Sequence, residues 1–137
     1  MVLEKYLVAA DAIIVDEIEG EKQIVLIKRK NPPFQEARAL PGGILDPDES
    51  VEQCCIREAK EETSLDVEIT KLVGVYSEPG RDPRGRTISV TYLCKPVGGK
   101  LKAMDDAADA KWFKVARLKE LTFAFDHDKM LEDAGLL

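Results

Sequence analysis

The sequence is poor in the residues that most often announce a chemistry. It has one histidine, His127, and one tryptophan, and aromatic residues make up only 6% of its 137 positions. Its three cysteines, adjacent Cys54 and Cys55 and distant Cys94, are odd in number and follow no zinc spacing. Neither a disulfide framework nor a structural zinc site is therefore expected. Buried, reduced thiols in a cytoplasmic protein are the expectation instead. No apolar run approaches the length that spans a bilayer, and Met1-Val2-Leu3-Glu4-Lys5 carries no secretory pattern. Basic excess is missing too. The net charge of −6 argues against nonspecific binding to nucleic acid or a membrane surface. An anionic small molecule remains open as a ligand, provided metal ions screen the repulsion. Internal repeats, low-complexity tracts and linkers are absent, so a single domain over 1–137 is expected.

What is present is a dense alternation of strands and turns. Tyr6–Ile18, rich in Val, Ile and Ala, reads as a long strand. Glu19-Gly20-Glu21-Lys22 turns it into Gln23–Arg29, a hairpin. Asn31-Pro32-Pro33-Phe34 opens a loop, and Ala37–Leu40 is a short strand before Pro41-Gly42-Gly43. Strands are also predicted over Val67–Tyr76, Thr87–Cys94 and Ala110–Val115, with a turn at Gly98-Gly99. A closing helix over Asp126–Ala134 takes Asp126 as its cap. Asp11 stands alone as a polar intrusion in an apolar strand.

One further helix begins at Ser50. Ser50 with Gln53 matches a capping box, and Asp46, Asp48 and Glu49 favour the positive end of the helix dipole. It should stop near Thr63-Ser64. Its apolar stripe, Val51, Cys55 and Ala59, is invaded by Glu58 and Glu62. A bare carboxylate on such a face is driven to protonate or destabilises the fold, because buried charge must be paired or bound to metal. Glu58, Glu61 and Glu62, at i, i+3 and i+4, gather on one side and repel unless hard cations sit among them. Oxygen-only ligation suits Mg²⁺ or Mn²⁺ rather than Zn²⁺.

Written out, the segment is Gly43, five residues, Glu49, seven residues, Arg57-Glu58, two residues, Glu61-Glu62, one residue, then Ser64-Leu65. This resembles the signature of the Nudix hydrolases, which cleave a nucleoside diphosphate linked to another group. The order of elements is similar to that family's α/β/α sandwich, a mixed sheet between helices. The resemblance implies Glu58 and Glu62 as principal metal ligands, with the Gly42 carbonyl completing the set. It makes Glu61 either a ligand or the base that activates water. It pairs Glu49 with Arg57, locking loop to helix. Ser64 departs from the pattern, which has glycine there; the position looks like a left-handed helix end, where serine costs up to about 1 kcal/mol.

The loop Ser77–Arg86 packs three arginines, two prolines and two glycines between strands. It reads as a substrate clamp, with Arg81, Arg84 or Arg86 on phosphates or a terminal ribose; an exposed connection with solvated arginines is the alternative. Together with Asn31–Phe34, Ala39–Gly43 and Phe125-Asp126-His127, the run Tyr76–Gly85, with Glu78 and Pro79, resembles the ADP-ribose pyrophosphatase branch. The implied reaction gives AMP and ribose 5-phosphate from ADP-ribose and water. A nucleoside triphosphate pyrophosphohydrolase, acting on oxidised or ordinary nucleotides, shares every metal residue. A non-catalytic nucleotide-sensing module, as in Nudix-like regulators, is a third alternative, disfavoured by an acidic chain that retains all three glutamates.

Phe34 is a candidate to stack on adenine or simply to pack. Asp106 is a candidate further ligand or base, or part of a polar turn. Trp112 and Phe113 are expected in the core, and His127 is expected to be structural rather than a general base. A homodimer is compatible with the family, and nothing in the residues decides it.

Overall fold

A computed structural model describes residues 5–102 and 107–137, the last range with backbone alone at 107 and 108. Strand β1 (Leu7–Ile18) turns at Glu19-Gly20 into β2 (Glu21–Arg29). Both turn residues have positive φ, 54° and 78°, the geometry that matches the twist of a two-residue hairpin. Then come β3 (Arg38–Ala39), β4 (Gly42–Ile44), helix α1 (Val51–Thr63), β5 (Leu65–Tyr76), β6 (Thr87–Gly99) and β7 (Ala107–Lys114). A 3₁₀ helix (Val115–Glu120) and helix α2 (His127–Asp133) close the chain.

The strands run in the order β3-β2-β1-β6-β5, with β4 also on β1 and β7 also on β2. The sheet is mixed: β1 and β6 are parallel, and the other pairs are antiparallel. Alternating side chains of β1 serve opposite layers, as a period of two requires. Ala10, Ala12 and Ile14 pack with Cys54, Cys55 and Ala59 of α1. Ile13 faces Leu118, Met130 and Leu131 on the other side. This is the expected α/β/α sandwich. All three cysteines are buried and free. Trp112 and Phe113 are half-buried, each against a different layer. Among the described residues, no helix is long and apolar enough to cross a membrane.

Several boundaries differ from the sequence reading. Gly42-Gly43 lies in a strand, because Ala10 and Asp11 pair with it. Gly98 and Gly99 do not form the turn; they pair with Asp66 and Leu65 as the end of β6. Ala37–Leu40 shrinks to the two residues of β3, and the 3₁₀ helix has no sequence signal of its own. Asp126 precedes α2 but makes no capping hydrogen bond. Its carboxylate is taken by Arg81 instead, at 2.8 and 2.6 Å.

The feature that creates a site is a change of partner along β1. Ala9, Ala10 and Asp11 pair with β4, whereas Val15–Ile18 pair with β2. Beyond that point β2 turns to β3, while β7 runs along its other edge. The sheet thus parts beside Asp11, and a cavity opens between the walls.

Helix α1 begins and ends as the residues require. Gln53 N–H donates to Ser50 Oγ at 3.1 Å, and Ser50 N–H to Gln53 Oε1 at 2.8 Å, a full capping box. Ser64 sits at φ 67°, ψ 8°, with its N–H donating to Lys60 O. A β-carbon is strained there. Ser64→Gly should therefore raise stability by up to about 1 kcal/mol, read as a shift of the urea midpoint at constant slope.

Candidate active site

Arg57 is the hub of the acidic helix. Its Nε donates to Glu49 Oε2 at 2.9 Å and its Nη2 to Glu49 Oε1 at 2.6 Å, the planar two-pronged contact that lysine cannot make. Nη2 also donates to Ile44 O at 3.1 Å, tying β4 to α1. Nη1 donates to Glu58 Oε1 at 2.7 Å and Glu61 Oε2 at 3.1 Å. The hydrogen bond from Arg57 holds the Glu49 carboxyl down at about 2. Glu49 and Arg57 are paired as expected.

The three glutamates divide. Glu58 is largely buried, its side chain 14% exposed, whereas Glu61 is 47% exposed. Glu62 turns inward: its Oε1 accepts a long, 3.4 Å bond from Gly42 N–H, and its Oε2 is buried with no hydrogen-bond partner. Burial, then the charge of Glu58, pushes the Glu62 carboxyl up to about 9. Burial also raises Glu58, against the pull of Arg57. The Glu58 carboxylate occupies the space a β-carbon on Gly43 would fill, with Oε1 and Oε2 2.6 Å from that point. A side chain at Gly43 would therefore displace the Glu58 carboxylate.

Among the described residues, no three acidic, histidine or cysteine side chains converge as a ready metal cluster. Arg57 explains this: it draws Glu58 and Glu61 toward itself while Glu62 points the other way. The residues nevertheless fit a hard divalent ion. The donors are all oxygen, Glu62 Oε2 lacks a hydrogen-bond partner, and the charge of Glu58 raises the proton affinity of Glu62. Glu62 is thus a buried carboxyl without a matching cation.

Glu58 and Glu62 line one wall of the cavity, of about 390 Å³, together with Asp11, Gly42 and Gly43. The facing wall carries Arg29, Lys30, Arg81 and Arg84, with Phe125 and His127. Among the described residues, Arg29 donates only to neutral carbonyls, Pro33 O at 2.7 Å and Asn31 O at 3.4 Å. Its guanidinium lies 5.0 Å from the centre of the Phe125 ring, and that of Arg84 lies 5.3 Å away. Burial, then repulsion from Arg84, lowers the Arg29 pKa. An acidic wall and a cationic wall therefore face each other across the opening in the sheet.

The loop arginines have three different surroundings. Arg81 is buried, its side chain 6% exposed, and ion-paired to Asp126. Its Nη1 also donates to Thr87 O and Ser89 Oγ, at 3.2 and 3.0 Å, so it anchors the loop rather than reaching freely into solution. Arg84 remains at the cavity, steadied by Asp82 at 2.9 Å. Arg86 points elsewhere, bonding Ser77 O and stacking on Tyr6 beside a second cavity. Glu78 and Phe34 are exposed and outside the lining of the main cavity. Phe34 packs edge-on against Phe125, ring centres 4.9 Å apart, which draws it away from a stacking role. Asp106 lies outside the described residues.

The sequence reading missed Arg29 and Phe125 and left Asp11 unexplained. Arg29 had a signal, a cation ending a strand before a Pro-Pro break. Phe125 entered only within the Phe125-Asp126-His127 run of the resemblance and without a role, since its place depends on where the chain returns. Asp11 is buried, and burial pushes its carboxyl up to about 7, against the pull of Arg81. His127 is buried and structural in one respect: Nδ1 accepts Leu40 N–H at 3.0 Å. Burial brings its pKa down to about 4, so it is neutral at pH 7.

This arrangement defines a class. The chain belongs to the NUDIX domain family, whose pattern matches residues 5–134, and it is a Nudix pyrophosphohydrolase. It is similar, at 48% identity over 133 residues, to an ADP-ribose pyrophosphatase of Methanocaldococcus jannaschii, across 96% of this chain and 78% of that protein. It is 30% identical to the ADPR responsive transcriptional repressor NtrR of Acinetobacter baylyi, over 93% of this chain but 52% of the repressor. Among solved structures, the NUDIX domain of Shewanella oneidensis NrtR complexed with ADP ribose superposes with a TM-score of 0.86. That match has 27% identity and covers 97% of this chain and 88% of that one.

The raised Glu62 carboxyl makes a pH prediction for the metal-free protein. A carboxyl that keeps its proton in the folded state but loses it when unfolded makes stability fall as pH rises between the two values. Here that window runs from about 4.5 to about 9. His127, lowered, acts oppositely, but only from about 4 to 6.5. Between pH 7 and 9 the melting temperature in EDTA should therefore decline, and Glu62→Gln should flatten that decline.

Proposed function

We propose that this protein hydrolyses ADP-ribose to AMP and ribose 5-phosphate with Mg²⁺ or Mn²⁺ as cofactor. The observation that carries the reading is the buried, unpartnered Glu62 Oε2 beside Glu58, across the cavity from Arg29 and Arg84. Glu58, Glu62 and the Gly42 carbonyl would hold the ion. When bound, the ion supplies Lewis acidity and neutralises phosphate charge. The residues of the chain do the rest. Arg29 and Arg84 receive the diphosphate oxygens, and the ring of Phe125 spaces the two guanidiniums. Glu61, exposed, bonded to Arg57 and outside the cavity lining, would have to leave Arg57 to serve as the ligand or base that the resemblance implies. The Glu49–Arg57 pair keeps the loop before α1 docked, so the Gly42-Gly43 backbone stays beside Glu58.

The substrate assignment draws support from the archaeal ADP-ribose pyrophosphatase and from the ADP-ribose complex of the Shewanella NUDIX domain. Likeness to the Acinetobacter repressor favours a second reading, in which the domain senses ADP-ribose; this chain spans about half of that repressor. Nucleoside triphosphate cleavage would use the same acids. A cytoplasmic setting and a homodimer fit the same reading.

Purified protein incubated with ADP-ribose and Mg²⁺ should release AMP and ribose 5-phosphate. Glu62→Gln should cut turnover by at least about 10²-fold while folding is kept or improved. Tight binding without product would select the sensing reading, and pyrophosphate release from triphosphates would select the nucleotide-pool reading. Unchanged turnover in Glu62→Gln would remove Glu62 from the ion site.

A further inference from the structure

Asp11 interrupts the most apolar strand of the sheet, and a network of side chains holds it there. Its carboxylate lies over Gly42, in the place a β-carbon would occupy. Ser89 Oγ accepts from Arg81 Nη1 at 3.0 Å, and Arg81 and Ser89 both favour the charged form of the Asp11 carboxyl against its burial. Arg81 is fixed in turn by Asp126, the residue before His127. Such a construction around a buried acid is costly unless the acid has a task.

His127 faces it with a defined tautomer. Nδ1 accepts Leu40 N–H, so it carries no proton, and the ring proton resides on Nε2. Nε2 lies 3.9 Å from Asp11 Oδ1, too far for a hydrogen bond between them. Both residues line the main cavity and both are nearly buried, with side chains 6% and 9% exposed. A donor and an acceptor thus stand side by side without meeting. One oxygen placed about 2.8 Å from each would see them at an angle of about 90°, which a hydroxyl accepts comfortably.

We propose that His127 Nε2–H and Asp11 Oδ1 together bind one sugar hydroxyl of the substrate, the hydroxyl accepting from histidine and donating to aspartate. This rests on the diphosphate-hydrolase reading above. Asp11 borders Gly42, and both share the cavity with Glu58 and Glu62, so the hydroxyl belongs to a sugar joined directly to the diphosphate. A nucleobase stands one sugar further away. The pair is a specificity device: a ligand without the hydroxyl leaves two buried polar groups unmatched.

The test is a ratio of kcat/KM values, which cancels any general loss of activity. Wild-type enzyme is compared on ADP-ribose, on the β-methyl ester of ADP, which lacks the distal sugar, and on 2′,3′-dideoxyadenosine diphosphoribose. One hydroxyl-free analogue should be poorer by about 10–100-fold, and which one identifies the sugar. Asp11→Ala, and His127→Asn, which keeps an acceptor for Leu40 N–H, should bring that ratio close to one. Folded variants with an unchanged ratio in both arms overturn the proposal. So do variants that alter only the choice between adenine and hypoxanthine. If ADP-ribose is not cleaved, ribonucleoside triphosphates against their 2′,3′-dideoxy forms give the same ratio, so the two readings fail separately. If a variant does not fold, the ¹⁵N shift of His127 Nε2 in wild-type protein decides. It should move on binding α,β-methylene ADP-ribose, and a static resonance overturns the proposal.

Discussion

The whole site depends on the guanidinium of Arg57. One planar fork holds Glu49, the carbonyl of Ile44, Glu58 and Glu61, so it joins the loop before the helix, strand β4 and the helix itself. Without it, three carboxylates and a glycine pair would have no fixed relation to each other. Arg57 also explains why the acids stand apart rather than as a finished cage. The arginine satisfies Glu58 and Glu61, and Glu62 is left with burial and no cation. Competition between a guanidinium and a divalent ion for the same oxygens is thereby built into the helix.

The second organising relation is charge across a gap. Glu58, Glu62 and Asp11 form one wall, and Arg29, Arg81 and Arg84 stand on the other. Arg81 and Arg84 are paired with Asp126 and Asp82, Arg29 donates to carbonyls, and Glu62 Oε2 has no hydrogen-bond partner. A polyanion bridged by cations to the acidic wall completes both, which is how a chain of net charge −6 can take an anionic substrate. Phe125 adds shape to this electrostatics, because its ring keeps two like-charged guanidiniums apart yet facing the same space.

Local chemistry was legible in the sequence; long-range convergence was not. The capping box at Ser50, the left-handed Ser64, the hairpin at Glu19-Gly20 and the Glu49–Arg57 pair all follow from neighbours within a few turns. The inward bias of Glu58 and Glu62 followed from helical periodicity. The opposite exposure of Glu61 did not, since Arg57 decides it. Gly42-Gly43 and Gly98-Gly99 looked like punctuation because glycine favours turns, yet ladder pairing with distant strands overrides that preference. Arg81 looked like a free clamp because Asp126, the partner that buries it, lies 45 residues away. Asp126 looked like a helix cap for the same reason. Phe34 was a stacking candidate and Phe125 was not, because only the fold shows which of the two reaches the cavity.

The parting of β1 from its neighbours has one more implication. Both rims of the opening are main chain held in ladder hydrogen bonds, Ala9–Asp11 to β4 on one side and β2 to β3 on the other. The width of the opening is therefore a property of the scaffold. Segments such as Asn31–Phe34 and Ser77–Arg86 stand at its mouth, the second bringing Arg84 to the cavity. Such a division lets the mouth segments change, and with them the molecule admitted, while the spacing between the helix acids and Arg29, at the end of β2, stays fixed.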